Sequence, residues 1–468
     1  MGTLNALLEM SRNALLANQS ALDATSNNVA NQNTVGYTRE IVNFEEQDSV
    51  TINGKSYGEG VTTGGPVSVR DRVLEQRVQQ QTQVQSQSSA LASVLSQVEN
   101  IFGISATSSS AATTTLGSAI DSFFNSFTAL EANPSDSATR QSVLAAASNL
   151  ADAFNSASSQ ISQITSSINS NVNTTVGQVN TLTAQIASLN QQISSLSPNA
   201  DAGTLEDQRQ TAIAQLSGLV GLDQITNEQN GITLTTSNGT GLVSGTKSFP
   251  MTTTMSGGVA HILAGPDATD VTGSLTGGSL GGMLQARDKV MPVYTDALDT
   301  LAYSIASAVN TQNEAGLDGN GNPGAALFTL PGSATGAASS IAVATTDPQS
   351  VAAAATGEGS TGDSNAVALA ALGQGATVGG QTPSGFYAAF LAQVGNDVSA
   401  ANSDNTVQQA TLSQLTTQRD SVSAVSLDQE AANLTQYQRT YEAAAKVFTI
   451  VDQLMADAMN MGVQSAVS

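Results

Sequence analysis

The chain has 468 residues, and its acids outnumber Lys and Arg by 37 to 14, for a net charge of −23. Its nearest approach to a basic cluster, Arg70, Arg72 and Arg77, is interrupted by Asp71 and Glu75, so nucleic acid and anionic membrane are poor partners. It has no cysteine, which excludes disulfides, thiolate metal sites and thiol nucleophiles, and no apolar run long enough to span a bilayer.

Leu8, Leu15, Leu22 and Val29 recur every seven residues, flanked by Leu4, Leu7, Ala14 and Ala21. The spacing predicts a helix from about Leu4 to about Val29. Asn27, Asn28, Asn31, Asn33 and Gly36 should end it, because Asn competes with the helix backbone and Gly tolerates left-handed geometry. Gly36-Tyr37-Thr38-Arg39 then opens an extended segment through Phe44. Asn53-Gly54 and Gly58 through Pro66 read as turns.

A second helix, with Val84, Leu91, Val94, Val98 and Ile101, begins past Arg72 and stops near Gly103. A Ser/Thr/Ala linker follows, then a phenylalanine-rich helix, Leu116 to Leu130, ended by Asn133-Pro134. Ser135 can cap the next. That one carries Ala147, Phe154, Ile161, Ile168, Thr175, Leu182, Leu189 and Leu196 at heptad spacing, with a register slip beyond Asn171 and Gly177 inside it. At about 1.5 Å per residue its roughly 60 residues reach about 90 Å, the length of a rod-shaped domain unless a break near Thr174–Gly177 halves it.

Pro198 to Gly203 turns the chain, and Leu205 to Leu219 is helical. From Gln224 to Leu263 the period becomes that of strands, among Asn230-Gly231, Asn238-Gly239 and Gly257-Gly258. Helix returns with Leu284, Met291, Leu298 and Ile305, where Pro292 should kink it or mark a fresh first turn. Pro331 to Gly380 should hold one strand, Ser340 to Ala344, and two short alanine-rich helices. Phe386 to Val422 is again helical.

The last long stretch runs from Ser426 to Met461. Leu427, Leu434, Tyr441, Phe448 and Met455 recur every seven residues, with Tyr437, Ala444, Val451 and Ala458 three after four of them; Glu430 breaks the first inner position. Ser426 and Gln429 form a capping-box pair, and Gly462 is placed to stop the helix. Two amphipathic helices on one ordinary core would give these seams. So would two chain ends that pair and present a surface to other copies.

Several catalytic patterns match as strings only. Gly277-Gly-Ser279-Leu-Gly281 fits the nucleophile elbow, but the single histidine, His261, precedes the serine, against the required chain order; His261 reads as a strand-surface or loop residue. Gly319-Asn-Gly321-Asn-Pro-Gly324 fits a dinucleotide fingerprint but follows a helix, with Pro323 where one should begin. Asp318, Asn320 and Asn322 have the spacing of calcium-loop ligands, but Pro323 replaces the glycine and Thr329 the bidentate acid. No catalytic, cofactor-binding or metal site is expected, and an enzyme is not the reading.

Leu22-Asp-Ala-Thr-Ser-Asn-Asn-Val-Ala-Asn-Gln-Asn-Thr-Val-Gly-Tyr37-Thr-Arg39 resembles the N-terminal signature of bacterial flagellar axial proteins, the rod, hook and hook-associated family. Val425-Ser-Leu-Asp-Gln-Glu-Ala-Ala-Asn-Leu434, with Tyr437-Gln and Tyr441, is similar to the matching C-terminal signature. Leu205-Glu-Asp-Gln-Arg209 through Leu216-Ser-Gly-Leu-Val220 resembles the hook-associated branch rather than the shorter rod proteins. Gly278-Ser-Leu-Gly-Gly-Met, Arg287-Asp and Asn310 through Gly321 do too. The resemblance implies a structural subunit of the hook–filament junction, exported without a cleaved signal through a type III channel and located outside the cell. It implies a ring or tube of copies, with the hook protein and a second junction protein as neighbours and an export chaperone on the C-terminal helix. Another axial protein and a secreted coiled-coil adhesin are the alternatives.

The expected fold is mainly α, multidomain and discontinuous. Residues 1–55 and 420–468 form a terminal coiled-coil assembly domain, 56–223 and 283–419 an elongated helical body, and 224–282 a small β-rich insertion. Assembly is expected to run through Leu8, Leu15, Leu22, Val29, Leu427, Leu434, Tyr441, Phe448 and Met455, with ends that are largely disordered until neighbours bury them.

Overall fold

A computed structural model describes residues 2–52, 55–103, 115–196, 202–226, 231–265, 267–359 and 361–464. The expected linker, Ser105 to Thr115, lies outside them except for Thr115, which caps the next helix; the Asn53-Gly54 turn and most of the turn after Leu196 lie outside them too.

The chain opens with α1 (Gly2–Asn31). Strand β1 (Glu40–Glu46) pairs antiparallel with β4 (Val61–Ser68), and the short hairpin β2 (Val50–Ile52) and β3 (Lys55–Tyr57) lies between them. Residues 61–66 are therefore strand and not the expected turn. Val61, Thr62 and Thr63 favour a pleated surface, and Pro66 is tolerated because the two-stranded sheet is all edge. The register shifts by one residue between Val42 and Phe44, which absorbs Gly64-Gly65 as a bulge.

Helix α2 (Arg72–Phe102) starts at Asp71, whose carboxylate accepts from the Val73 and Leu74 N–H groups, and stops at Gly103 in the left-handed region (φ 62°). Helix α3 (Leu116–Ala132) ends before Pro134. Helix α4 (Ser137–Ser194) is capped by Asp136 rather than Ser135, since the Asp136 carboxylate reaches the Ala138 N–H. Its 58 residues run unbroken through Thr174–Gly177, about 87 Å at 1.5 Å each. The slip seen in the sequence is accommodated by burial passing from Ile161, Ile164 and Ile168 to Val172, Thr175, Val176 and Val179.

Helix α5 (Gly203–Leu219) leads into a four-stranded antiparallel sheet in sequential order, β5 (Leu222–Thr226), β6 (Ile232–Thr236), β7 (Gly241–Ser244) and β8 (Lys247–Ser248). A second sheet holds β9 (Thr252–Ser256), β10 (Val259–Ala264) and β11 (Thr269–Asp270), with β10 central. Helix α6 (Gly278–Gln285) passes through a π-turn, Ala286–Val290, into α7 (Met291–Ala315), where Pro292 occupies the first turn.

Strand β12 (Gly316–Leu317) pairs with β15 (Ala354–Ala355), and β13 (Phe328–Thr329) with β14 (Ala342–Val343). Short helices α8 (Ala337–Ser340) and α9 (Ser364–Ala371) belong to the same segment. Two long helices close the chain, α10 (Pro383–Ser423) and α11 (Leu427–Gln464). Helix α11 runs on through Gly462, which permits a helix stop without compelling one.

One continuous apolar core joins α2, α3, α4, α7, α9, α10 and the strands of the 222–271 region. Its aromatic centre is Phe123, whose ring lies 5.1–5.5 Å from those of Phe124, Phe127 and Phe328. The core gives out along the stem formed by α2 and α10. Beyond Ala401 no residue of α10 is buried until Ser423. Polar bonds hold that stretch: Gln81 to Gln408 at 2.8 Å, Gln85 to Asn405 at 3.4 Å and Ser88 to Asp404 at 2.7 Å. A separate small cluster, Ala21, Ala24 and Val42 with Tyr437, belongs to the chain ends.

Candidate assembly interface

Helices α1 and α11 pack along one another. Arg39, just past α1, meets Glu430 in the first turn of α11, while Ala21 and Ala24 lie against Tyr437. The pair is therefore antiparallel. The face of α1 turned inward is small: Ala17, Ala21 and Ala24 are buried, with Ser11, Asn18, Thr25 and Asn28 beside them. On α11, Glu430 and Val451 are buried, and Tyr437, Ala444, Phe448, Met455 and Ala458 are half-buried. The β1–β4 ribbon also lies against α1, and Asn13 bonds Gln47 at 2.8 Å.

The asparagine turn ties this pair to the body. Asn28 donates to the Glu40 carbonyl at 2.8 Å, and its Oδ1 accepts the Glu40 N–H at 2.8 Å and the Tyr37 hydroxyl at 2.9 Å. Gly36 turns the chain with φ 83°, and a side chain there would meet Thr211. The Thr38 N–H bonds Asp207 of α5 at 3.0 Å; Arg70 also pairs with Asp207, and reaches Thr38 at 3.2 Å. The Arg39 N–H bonds the Ser423 carbonyl at 2.9 Å, and its Nε donates to Glu430 at 2.7 Å.

Burial pushes the Tyr37 hydroxyl well above the ordinary range, helped by the charges of Glu40, Asp207 and Glu430. Burial also raises the Asp207 carboxyl, against the lowering pull of Thr38 and Arg70. The turn thus joins N-terminal helix, body and C-terminal helix through buried polar bonds, each costly to leave unmade.

The expected interface residues fall in two groups within the chain. Leu8, Leu15, Leu22, Leu434, Phe448 and Met455 are half-buried, whereas Val29, Leu427 and Tyr441 are exposed. Of the motif turn, Asn28 is buried; Asn31, Tyr37 and Arg39 are half-buried; and Asn27, Asn33 and Gly36 face solvent. Asn31 bonds back to the Asn27 carbonyl at 3.1 Å.

Sequence reasoning missed a second apolar line on α11, Val447, Ile450 and Leu454, which is 47–56% exposed. Its spacing of three and four was present in the sequence but stood in the shadow of the stronger heptad. Leu7 and Leu16 are likewise exposed on α1. Arg70 and Asp207 were missed as a pair because 137 residues separate them.

The string-matched motifs have local duties. Asp318 accepts from the Asn320 and Asn322 N–H groups at 2.8 Å, closing its own turn. Ser279 stands at the N-terminus of α6. Among the described residues no group of three His, Asp or Glu could hold a metal, and no helix is long and apolar enough to cross a membrane.

Paired terminal helices, an elongated helical body carrying small sheets, and a polar knot between them define a mainly α-helical protein whose two chain ends meet. Residues 95–328 match the family described as "Flagellar hook-associated protein FlgK helical domain". Residues 8–38 match "Flagella basal body rod protein", and 417–461 match "Flagellar basal body rod FlgEFG protein C-terminal". The chain is 31% identical to flagellar hook-associated protein 1 of Bacillus subtilis (strain 168), over 97% of this chain and 98% of that one. It is 25% identical to the Escherichia coli (strain K12) protein of that name, over 70% of this chain and 60% of that one. A solved structure, the flagellar hook junction protein FlgK from Burkholderia pseudomallei, has the same fold, with TM-score 0.67, 20% identity, 74% of this chain covered and all of that one. The chain belongs to the flagellar hook-associated protein 1 family, structural proteins of the hook–filament junction.

Proposed function

We propose that the chain builds the hook–filament junction by self-association through its terminal helices, after type III export, on the outside of the cell. A ring or tube of copies, contacted by the hook protein and a second junction protein, is the assembled state, and the C-terminal helix binds an export chaperone before assembly. Residues 1–55 with 420–468 act as the assembly domain, 56–223 with 283–419 as the body and 224–282 as an outer insertion. Leu8, Leu15, Leu22, Val29, Leu427, Leu434, Tyr441, Phe448 and Met455 are the proposed contact set.

The observation that supports this is the amount of apolar side chain left in solvent on a narrow helix pair. Val29, Leu427, Tyr441, Val447, Ile450 and Leu454 are each more than a third exposed, and an unpartnered apolar stripe calls for cover. Each leucine fully buried by a neighbour contributes roughly 1.5–3 kcal/mol, so a chain marginal at its ends becomes stable in a ring.

Hydrogen exchange tests the reading, comparing the dilute full-length chain with the same chain at concentrations where it associates. Residues 4–31 and 427–460 should gain protection on association while the body is unchanged. Equal protection of the ends in both states would show that they belong to the monomer core.

A further inference from the structure

Two units meet in this chain with little packed between them. The terminal unit is α1, the β1–β4 ribbon and α11. Among the described residues its elements pack along one another, and none packs along a body helix. Its small apolar cluster is separate from the body core. Two covalent links join the units, 69–71 between β4 and α2 and 424–426 between α10 and α11. Both are laced to one residue. The Arg39 N–H bonds the Ser423 carbonyl at 2.9 Å, and the Arg39 carbonyl accepts the Val69 N–H at 2.8 Å. Two adjoining links make a hinge, because units joined without a large apolar interface move against each other by default.

A third attachment opposes that motion. The asparagine turn reaches out of the terminal unit onto α5 of the body, with Gly36 over Thr211 and the Thr38 N–H on Asp207, one helical turn away, at 3.0 Å. Asp207 also pairs with Arg70 of the first link, and Arg70 reaches the Thr38 hydroxyl at 3.2 Å. One carboxylate thus grips the turn and a link together. It is 9% exposed, so water replaces it poorly. Around this contact the units stand apart. A groove of about 580 Å³ lies among the turn, α2, α5 and the end of α10, and a second of about 220 Å³ lies between Glu40, Pro66 and the start of α5. The joint has room to swing.

We propose that Asp207 is the catch of a hinge between the terminal unit and the body: its bonds to Thr38 and Arg70 fix the direction in which the paired terminal helices project, and losing them lets the pair swing as one piece. The catch acts within a single chain, so it stands apart from whether copies associate through the exposed apolar stripe.

The absence of cysteine allows paired spin labels on the dilute full-length chain. Gln80→Cys on α2 with Glu442→Cys on α11 spans the joint. Asn5→Cys on α1 with Gln436→Cys on α11 stays inside the terminal unit. All four positions are exposed. Asp207→Ala should broaden the 80–442 distance distribution about two-fold or more and leave the 5–436 distribution unchanged. Asp207→Asn, which keeps an acceptor for Thr38 but no charge for Arg70, should broaden it less. Gly36→Ala should act like Asp207→Ala from the other side of the contact, since the added methyl meets Thr211 and φ is 83°. An 80–442 distribution that keeps its width in both alanine variants overturns the proposal. So does equal broadening of the two label pairs, which would mean that the terminal unit itself had loosened. If Asp207→Ala does not fold, Gly36→Ala decides by the same results.

Discussion

Asn180 holds Met251 by both of its backbone groups: its Nδ2 donates to the Met251 carbonyl at 2.7 Å and its Oδ1 accepts the Met251 N–H at 2.8 Å. Asn190 does the same for Ile232, at 2.8 and 3.3 Å, and Asn28 for Glu40. Asn169 spans Gly258 and Ala260. Each helix amide thus stands where a neighbouring strand would otherwise be, and the two small sheets are fastened along α4 without extending it.

Asn190 is the most buried of those on α4, and it also accepts from Arg209 and donates to the Gly245 carbonyl. Asn190→Ala strands several buried groups at once and should destabilise by about 2–4 kcal/mol. Asn180→Ala, nearer solvent, should cost less because water can replace the amide. Urea unfolding gives the magnitudes, and hydrogen exchange at Ile232 and Met251 should localise each loss.

Phe123 is fully buried among three other phenylalanines. Phe123→Ala removes the ring at their centre and should cost about 3–5 kcal/mol, whereas Phe123→Leu should cost clearly less. Thermal melts of the two variants separate a packed aromatic centre from a site that merely requires bulk.

Gly282 sits where α6 crosses α2. A side chain there would meet the Gln87 carbonyl and the Ala90 methyl. Backbone gives way less readily than a flexible side chain, so Gly282→Ala should push the helices apart and cost about 1–3 kcal/mol. Ala90→Gly in the same chain relieves only part of the clash, so recovery should be partial when the two variants are compared by unfolding.

Helices α1 to α5, α7, α10 and α11 were legible because each carries a sustained apolar period, several with recognisable ends such as Gly103 and Pro134. The Val61–Ser68 strand was not, since its glycines and proline signal a turn when its partner, β1, is unseen. The terminal seams were legible as seams. Their inward faces were legible in part: Ala21 on α1 and Tyr437, Ala444, Val451 and Ala458 on α11 stand in the pattern, whereas Ala17 and Ala24 were passed over, because alanines stand out less than leucines in any periodic count. The polar knot at Thr38, Arg70, Asp207 and Glu430 joins segments up to 391 residues apart, and no local pattern encodes such a meeting.

Asp270 gives a pH signature confined to the outer strands. Its Oδ1 accepts the Thr272 hydroxyl at 2.6 Å and the Thr272 N–H at 2.9 Å, while His261 Nδ1 lies 2.7 Å from Oδ2. Hydrogen bonds to the ionised form, chiefly those from Thr272, lower the carboxyl from 3.8 to about 2. Because the folded value lies below the unfolded one, these bonds contribute fully above the unfolded value and are lost as pH falls from about 4 through about 2. The side chain is about half exposed, so solvent screening keeps the contribution small and acid should loosen the β10–β11 edge without unfolding the body. Carboxyl-detected NMR titration should place the Asp270 midpoint near 2 in the native chain. Thr272→Val removes the hydroxyl donor but keeps the N–H, so the midpoint should rise only part of the way to 3.8; no rise would mean that His261, rather than Thr272, holds the charge.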